Sequence, residues 1–356
     1  MHNKTIVFTG GGSTGHVSVN LAIIPKFVED GWEVYYIGSK KGIEKQLVAK
    51  LDKVQYLTIS TGKLRRYVDI KNVTDPFRVL SGIFQSYSII RRIKPSVIFS
   101  KGGFVSPPVV LGGWLNNVPV VLHESDLSPG LANKISIPFV RKICTTFDAT
   151  RKYLPKEKVH YIGPITRDSL KKGISDRGRD FLGFTSNKPV LLIMGGSLGA
   201  KHLNAVIRTN LKSLLSRFQI IHICGKGNIE KSIEIAGYKQ IDYVEEELAD
   251  VIALSDLVVS RAGSNAIFEF LYFRKPMVLV PLSRVSSRGD QILNAQEFKS
   301  KGYCEVVEDE DMDKSIFLST IYKVFKDKNK YVTEMNKTKV RDNAKELYSV
   351  ILNVAK

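Results

Sequence analysis

Short apolar runs rich in β-branched residues alternate along this chain with longer stretches whose apolar positions recur at helical spacing. In the first half the runs are residues 5–9, 34–37, 97–100, 119–122 and 159–162. In the second they are 190–194, 219–223, 241–244, 257–260 and 277–280. Amphipathic segments such as 17–30 and 203–218 lie between them. This alternation predicts an α/β fold with parallel sheets and helices on both faces. The two halves echo each other. Each opens with a strand, a glycine-rich turn and a helix, first IVFTGGGSTGHVSVNLAII and then VLLIMGGSLGAKHLNAVI, with Gly11 and Gly195 184 positions apart. Two such openings predict two doubly wound domains facing each other. The boundary is expected near residues 163–168, after a sixth strand. That gives an N-terminal domain over 1–163, a C-terminal domain over 164–337, and a last helix, about 338–356, packing back on the first.

Composition adds charge to this picture. The 356 residues are 43% hydrophobic and 25% charged, ordinary values for a chain that builds a core in each domain. The net charge is +18, which favours acidic partners such as nucleotides, nucleic acid or an anionic membrane. It is uneven: residues 1–164 carry 23 basic and 11 acidic side chains, the remainder 30 and 24. The N-terminal half is therefore expected to face the anionic surface. Cys144, Cys224 and Cys304 lie far apart, with no CxxC and no Cys/His cluster, and read as reduced core residues. The opening MHNKTIVFTGGG shows no basic-then-apolar leader, and no apolar run approaches the ~20 residues of a membrane span. The expectation is a protein in the cytoplasm or on the cytoplasmic face of a membrane.

Candidate chemistry gathers after the predicted strands, where parallel sheets bind ligands. Gly10-Gly11-Gly12-Ser13-Thr14-Gly15-His16 follows the first strand, Lys101-Gly102-Gly103-Phe104-Val105-Ser106 a second, and His123-Glu124-Ser125-Asp126 a third. Glycines admit close backbone approach, and the helix starts behind them offer N–H groups to anions. The first loop alone is weak evidence, because Thr14 stands where the G-x-G-x-x-G dinucleotide pattern wants glycine. In the second half Gly195-Gly196-Ser197-Leu198-Gly199-Ala200 and Ser260-Arg261-Ala262-Gly263-Ser264-Asn265 turn from strand into helix, with Ser264 or Asn265 as the expected N-cap. Glu269 lies four residues beyond Asn265 on the same face, where a carboxylate suits a ribose diol. Arg288-Gly289-Asp290-Gln291 begins another helix. A nucleotide fits this second set. The D-x-D matches at Asp309–Asp311 and Asp311–Asp313 read as a solvated loop or helix start, not as a metal pair.

GGGSTGH, KGGFVSPP, HESDLSPGLANK, IGPITR, MGGSLGA, SRAGSNAIFE and RGDQILNA occur in this order over nearly the whole chain. The set resembles the muramoyl-pentapeptide N-acetylglucosaminyltransferases of glycosyltransferase family 28. The resemblance implies the GT-B architecture, two Rossmann-like domains with a donor cleft between them. It implies UDP-N-acetylglucosamine as donor, and inverting transfer to the C4 hydroxyl of N-acetylmuramic acid in a lipid-linked muramoyl-pentapeptide. No cofactor and no metal are expected. By resemblance, Ser13, Thr14 and Gly15 approach the diphosphate or sugar, and Arg167 and Ser197 hold the diphosphate. Val244 backs the uracil, Ser264 and Asn265 take phosphate, Glu269 takes the ribose and Gln291 the sugar hydroxyls. Gly102, Gly103 and Asn133 are assigned to the acceptor. Two positions depart from the family pattern. HEQN is common where this chain has His123-Glu124-Ser125-Asp126, which assigns a donor contact to Asp126, and Asp290 stands where glutamine is common.

Inverting transfer needs a base for the acceptor hydroxyl and stabilisation of the departing diphosphate. His16 is the favoured base, with Glu124 as its competitor. Basic Lys63, Arg65, Arg66, Arg91, Arg92 and Lys94 flank residues 77–90, where Phe77, Leu80, Ile83, Phe84 and Tyr87 recur at helical spacing. Such a helix suits peripheral docking on an anionic membrane, while core packing ahead of the next strand is the alternative. A nicotinamide oxidoreductase lacks its fingerprint here, and a nucleic-acid binder leaves the paired glycine loops unexplained, so nucleic acid is not an expected partner. A UDP-N-acetylglucosamine 2-epimerase or another GT-B lipid glycosyltransferase is the nearest rival.

Overall fold

Every described strand pairs in parallel with its neighbours, so each connection must cross back over the sheet, usually as a helix. The structure, a computed structural model, describes residues 4–62, 71–165, 170, 172–184, 188–196, 199–244, 246–284, 287–338 and 343–355. The chain divides into two units, Met1–Arg167 with Arg341–Lys356, and Asp168–Val340.

The first unit holds β1 (Thr5–Thr9), β2 (Glu33–Ser39), β3 (Val54–Ile59), β4 (Val97–Ser100), β5 (Val120–Glu124), β6 (Lys142–Thr145) and β7 (Val159–Tyr161). Their order is β3-β2-β1-β4-β5-β6-β7, which places a topological switch point between β1 and β4. Successive residues serve opposite faces. Ile6 and Phe8 of β1 join Val19, Ile23 and Phe27 of the helix Ser18–Glu29 on one face. Val7 joins Ile90 of the helix Lys71–Ile93 and Val109 and Val110 of the helix Ser106–Leu115 on the other. Because both faces are covered, the inner strands are continuous apolar runs. The helix Ala344–Val354 completes the first of these cores. Leu347 and Ile351 are wholly buried there, and the Tyr348 ring lies 4.5 Å from that of Phe27. Asn343 Nδ2 donates to the Pro164 carbonyl at 2.9 Å.

The second unit holds β8 (Val190–Met194), β9 (Gln219–Ile223), β10 (Tyr238–Ile241), β11 (Leu257–Ser260), β12 (Met277–Leu279) and β13 (Cys304–Val306), in the order β10-β9-β8-β11-β12-β13. Its switch point lies between β8 and β11. The three cysteines are buried free thiols.

Several expectations need correction. The first sheet has seven strands where six were expected. β3, β6 and β13 were missed. β3 and β13 are edge strands, whose one-sided pairing leaves a half-exposed, mixed pattern, and β6 is a four-residue strand that opens on Lys142. The strand expected at 241–244 is Tyr238–Ile241, also at an edge. The segment 203–218 forms two helices, Lys201–Thr209 and Leu211–Leu215, parted at Asn210. β5 runs two residues beyond the expected 119–122, so His123 and Glu124 belong to the strand.

Ile351→Ala should lower the unfolding free energy of the first unit by about 2–5 kcal/mol, the usual cost of a core cavity. Urea unfolding followed by tryptophan fluorescence checks this. An unchanged midpoint would mean that the 344–354 helix does not share the core.

Candidate active site

Parallel strands all end at one edge of their sheet. In the first unit residues 10–13, 101–105 and 125–130 meet there, after β1, β4 and β5. Gly11 N donates to the Gly102 carbonyl at 3.3 Å. The approach allows no side chain at Gly103. Gly103 has φ +81°, and a methyl on it would lie 2.0 Å from the Gly11 carbonyl oxygen and 3.1 Å from His16 Cδ2. The first loop is held from beneath by Glu44, a wholly buried carboxylate. Gly12 N donates to its Oε2 at 3.2 Å, and Ser39 N, at the end of β2, to its Oε1 at 3.1 Å. Tyr36 Oη donates to the Gly10 carbonyl at 2.7 Å. Ser13 is exposed and extended, and precedes the single turn Thr14–His16. Thr14, Gly15 and His16 are half-buried, and His16 N donates to the Ser13 carbonyl at 3.1 Å.

The end of β5 is a buried charged cluster. Glu124 accepts from Asn133 Nδ2 at 2.7 Å, Asp126 N at 2.9 Å and Gly130 N at 3.0 Å. Its carboxylate thereby pins the 125–130 loop. Burial, and then the Asp126 carboxylate, push the Glu124 carboxyl up to about 7, against the Asp126 backbone N–H, the Lys101 ammonium and the Asn133 amide. Lys101 is almost wholly buried, and its Nζ donates to Ser125 Oγ at 2.6 Å. Burial lowers its affinity for a proton, and the Glu124 and Asp126 carboxylates oppose that. His123, buried beside them, is held well below its usual range by burial and the Lys101 charge, so its imidazole is neutral.

In the second unit residues 195–196 and 199–200 follow β8, 261–264 follow β11, and 280–284 and 287–289 follow β12, again at one edge of the sheet. The N-cap of the helix Ser264–Tyr272 is Gly263, in extended conformation, and not Ser264 or Asn265 as expected. Gly263 has no side chain to cap this helix start with, and the start of a helix favours an anion. Ser264 is buried at the first turn, and Glu269 is half-buried further along the helix. Asn294 Nδ2 reaches the Ala262 carbonyl at 3.1 Å and braces the turn. Gln291 accepts the Leu282 N–H at 3.1 Å through Oε1. Val244 is buried just after β10.

Ser13, Thr14, Gly15, His16, Gly102, Gly103, Glu124, Asp126 and Asn133 thus share the strand-end edge of the first sheet. Ser264, Asn265, Glu269 and Gln291 belong to helices that start at the corresponding edge of the second. Arg167 and Ser197 lie outside the described residues. Asn133 is buried, with its amide engaged by Glu124 and the His123 carbonyl. The acidic run is engaged too: Asp309 pairs with Arg261 and His202, Asp311 with Lys314, and Asp313 with His202. Sequence reasoning missed Glu44 and the Lys101–Ser125 pair, since nothing local marks a partner tens of residues away. Cavities of about 830 and 640 Å³ open at the opposite edge of the first sheet, beside Trp114, Phe139 and Arg141 and beside Arg91, Pro95 and Leu115, away from that sheet's glycine loops.

Residues 6–145 match the glycosyltransferase family 28 N-terminal domain, and residues 190–348 the glycosyltransferase family 28 C-terminal domain. A protein of Geobacillus kaustophilus called UDP-N-acetylglucosamine–N-acetylmuramyl-(pentapeptide) pyrophosphoryl-undecaprenol N-acetylglucosamine transferase is 53% identical over 354 residues, 99% of each chain. One of the same description from Oceanobacillus iheyensis is 51% identical over 355 residues, covering 100% of this chain and 99% of that protein. Among solved structures, Acinetobacter baumannii MurG superposes with a TM-score of 0.77 at 22% identity, over 99% of both chains. A UDP-GlcNAc 2-epimerase from Neisseria meningitidis gives 0.70 at 13% identity, over 98% of this chain and 100% of that one. At such identities the likeness is one of fold.

The raised Glu124 carboxyl makes stability pH-dependent. The folded chain binds this proton more tightly than the unfolded one, so the contribution is complete below pH 4.5 and is lost as pH rises through about 7. Glu124→Gln lacks that proton. Relative to the unchanged protein it should therefore gain stability between about pH 4.5 and 7, as measured by urea titrations at stepped pH. A pH-independent difference would refute the raised value.

Proposed function

The chain belongs to glycosyltransferase family 28, and from that premise we propose that it transfers N-acetylglucosamine from UDP-N-acetylglucosamine to undecaprenyl-pyrophosphoryl-N-acetylmuramyl-pentapeptide, a step of peptidoglycan synthesis. The observation that carries this reading is the 53% identity over 99% of both chains to a transferase of that description. The 2-epimerases share the fold but not the sequence, at 13% identity. UDP release should require a lipid-linked muramoyl-pentapeptide analogue. Epimerisation of the donor alone would overturn the assignment.

The donor's uracil, ribose and diphosphate are assigned to the second unit. Val244 backs the uracil, Glu269 accepts from the ribose hydroxyls, and Ser264 and Asn265 meet the diphosphate at the start of the helix Ser264–Tyr272. Arg167 and Ser197 complete the diphosphate contacts. Gln291 uses its oxygen on Leu282 N, so its amide NH₂ is the part assigned to the sugar hydroxyls. Ser13, Thr14, Gly15 and Asp126 approach donor from the first unit. Gly102, Gly103 and Asn133 shape the acceptor side, Asn133 by fixing the loop rather than by direct reach. Negative charge developing on UDP is met by these donors, and turnover needs no metal. The acceptor nucleophile is the C4 hydroxyl of N-acetylmuramic acid, attacking with inversion.

The bonding of Glu124 and the exposure of His16 support one base assignment. Both oxygens of Glu124 already hold loop donors, and the group is nearly inaccessible. His16 is half-buried at the loop mouth. His16 is therefore the base, and Glu124 the residue that positions the 125–130 loop. His16→Ala should lower kcat by about 10²–10⁴-fold with UDP affinity within about twofold, because binding and chemistry separate in this way. Steady-state kinetics with calorimetry of UDP binding checks it. A larger loss in Glu124→Gln with a near-normal His16→Ala would transfer the role.

The acceptor is lipid-linked, and among the described residues no helix is long and apolar enough to cross a membrane. The helix Lys71–Ile93 offers another route. Phe77 and Phe84 are each 71% exposed and Leu80 53%, an apolar stripe followed by exposed Arg91, Arg92 and Lys94. Lys63, Arg65 and Arg66 lie outside the described residues. This stripe supports peripheral docking on an anionic bilayer at the cytoplasmic face, where the nucleotide sugar is available. Each basic residue there contributes about 1 kcal/mol. Arg91→Glu with Arg92→Glu should release the protein from phosphatidylglycerol vesicles in sedimentation while UDP binding is kept. Equal sedimentation of variant and unchanged protein would exclude this surface.

A further inference from the structure

The acidic run 309–313 has no part in the chemistry above, yet one of its carboxylates reaches two elements assigned to the donor. Asp309 opens a short turn, Asp309–Asp311, just beyond β13. Its Oδ1 lies 2.5 Å from Arg261 Nη1. Arg261 directly follows β11, is 7% exposed, and also donates to the Val280 and Pro281 carbonyls at 3.3 and 3.4 Å. The other oxygen, Oδ2, lies 3.6 Å from His202 Nδ1. His202 is the second residue of the helix Lys201–Thr209, which follows the glycine turn after β8. Its Nε2 is 3.0 Å from Asp313 Oδ2. One carboxylate therefore spans the starts of the helices that flank the β8/β11 switch point.

A buried arginine–carboxylate pair is weak evidence for stability, since desolvation offsets most of its attraction and apolar replacements are often as stable. What such a pair fixes well is geometry, through a planar guanidinium held on several sides. Arg261 is held by two backbone carbonyls and Asp309, and its own backbone N–H donates to the Met194 carbonyl, at the end of β8, at 3.4 Å. Next to it Ser260 Oγ donates to the same carbonyl at 2.9 Å. The bonds join β8, β11, the 280–281 segment and the 309 turn at one point.

We propose that Asp309 is a positioning residue of the donor site: its carboxylate locks Arg261 and His202 and so sets the spacing of the two helix starts that receive a nucleoside diphosphate. This rests on the assignment of UDP to the second unit. Without the carboxylate, Arg261 keeps a buried charge with no anion beside it among the described residues, and the turn before Ser264 relaxes.

The test is calorimetry of UDP binding to the full chain, with donor KM and kcat alongside. Asp309→Asn should weaken UDP about tenfold, equivalent to ~1.4 kcal/mol, and raise the donor KM similarly, with kcat at saturating donor within about threefold. Asp309→Glu should recover part of the affinity. Asp311→Asn removes the same charge from the same turn but at a residue that pairs with Lys314, and should bind UDP as the unchanged protein does. Unaltered affinity in Asp309→Asn, or an equal loss in Asp311→Asn, overturns the proposal. If Asp309→Asn does not fold, His202→Gln decides: a loss of about threefold supports the lock and unaltered affinity refutes it. Absence of UDP binding by the unchanged protein would overturn the functional reading and this inference with it.

Discussion

Parallel pairing is the constraint from which the rest of this molecule follows. A strand lying parallel to its neighbour cannot be joined to it by a tight turn, so each must be followed by a crossover connection, commonly a helix. Every strand then ends at the same edge, and every turn into a helix begins there. The glycine loops, the charged end of β5 and the helix starts beside them are all consequences of that geometry. The sheets supply a rigid edge, and chemistry is added by changing a few residues beyond it.

The first unit shows what it takes to hold such loops still. Backbone at the sheet edge leaves N–H groups unpaired, and these must find acceptors. Two buried carboxylates meet this need. Glu44 takes N–H groups from Gly12 and Ser39, and Glu124 takes them from Asp126 and Gly130. Burying carboxylates is costly unless they are well hydrogen-bonded, and here each carries several donors. Lys101 adds a positive charge beside Glu124 and bonds Ser125, the position where this chain departs from the family's usual glutamine. Ser125 gives the buried ammonium a partner.

Much of the fold was legible because the inner strands leave little choice. β1, β4, β8, β9 and β11 were read to the residue, since each is apolar on both faces and bounded by turn residues. The edge strands were not, because half of each faces water and the pattern dilutes. The glycine loops and helix starts were legible for the same reason as the inner strands: only certain residues tolerate those conformations. The supports beneath them were invisible. Glu44 lies 32 residues from Gly12, Ser125 lies 24 from Lys101, and Asp309 lies 48 from Arg261. Such pairs exist only once the fold brings distant segments together, and no local periodicity reports them. The N-cap of the helix Ser264–Tyr272 was misplaced for a related reason. A serine beside a helix start reads as a cap, but the cap position is Gly263 and Ser264 is the first residue of the helix.

The helix Ala344–Val354 carries a consequence for the order in which the molecule is made. Its Leu347 and Ile351 belong to the same core as Ile6, Phe8 and Phe27, yet the whole second unit separates them in the chain. Domains generally fold as they emerge from the ribosome, the N-terminal one first. Here the earlier unit waits with one face of its sheet partly uncovered while the later unit is translated and can fold independently. The exposed surface, centred on Phe27, is apolar and therefore a target for chaperones during that interval. Maturation of the first unit is thus tied to completion of the second, and a nascent chain arrested midway holds a finished sheet with an unfinished core.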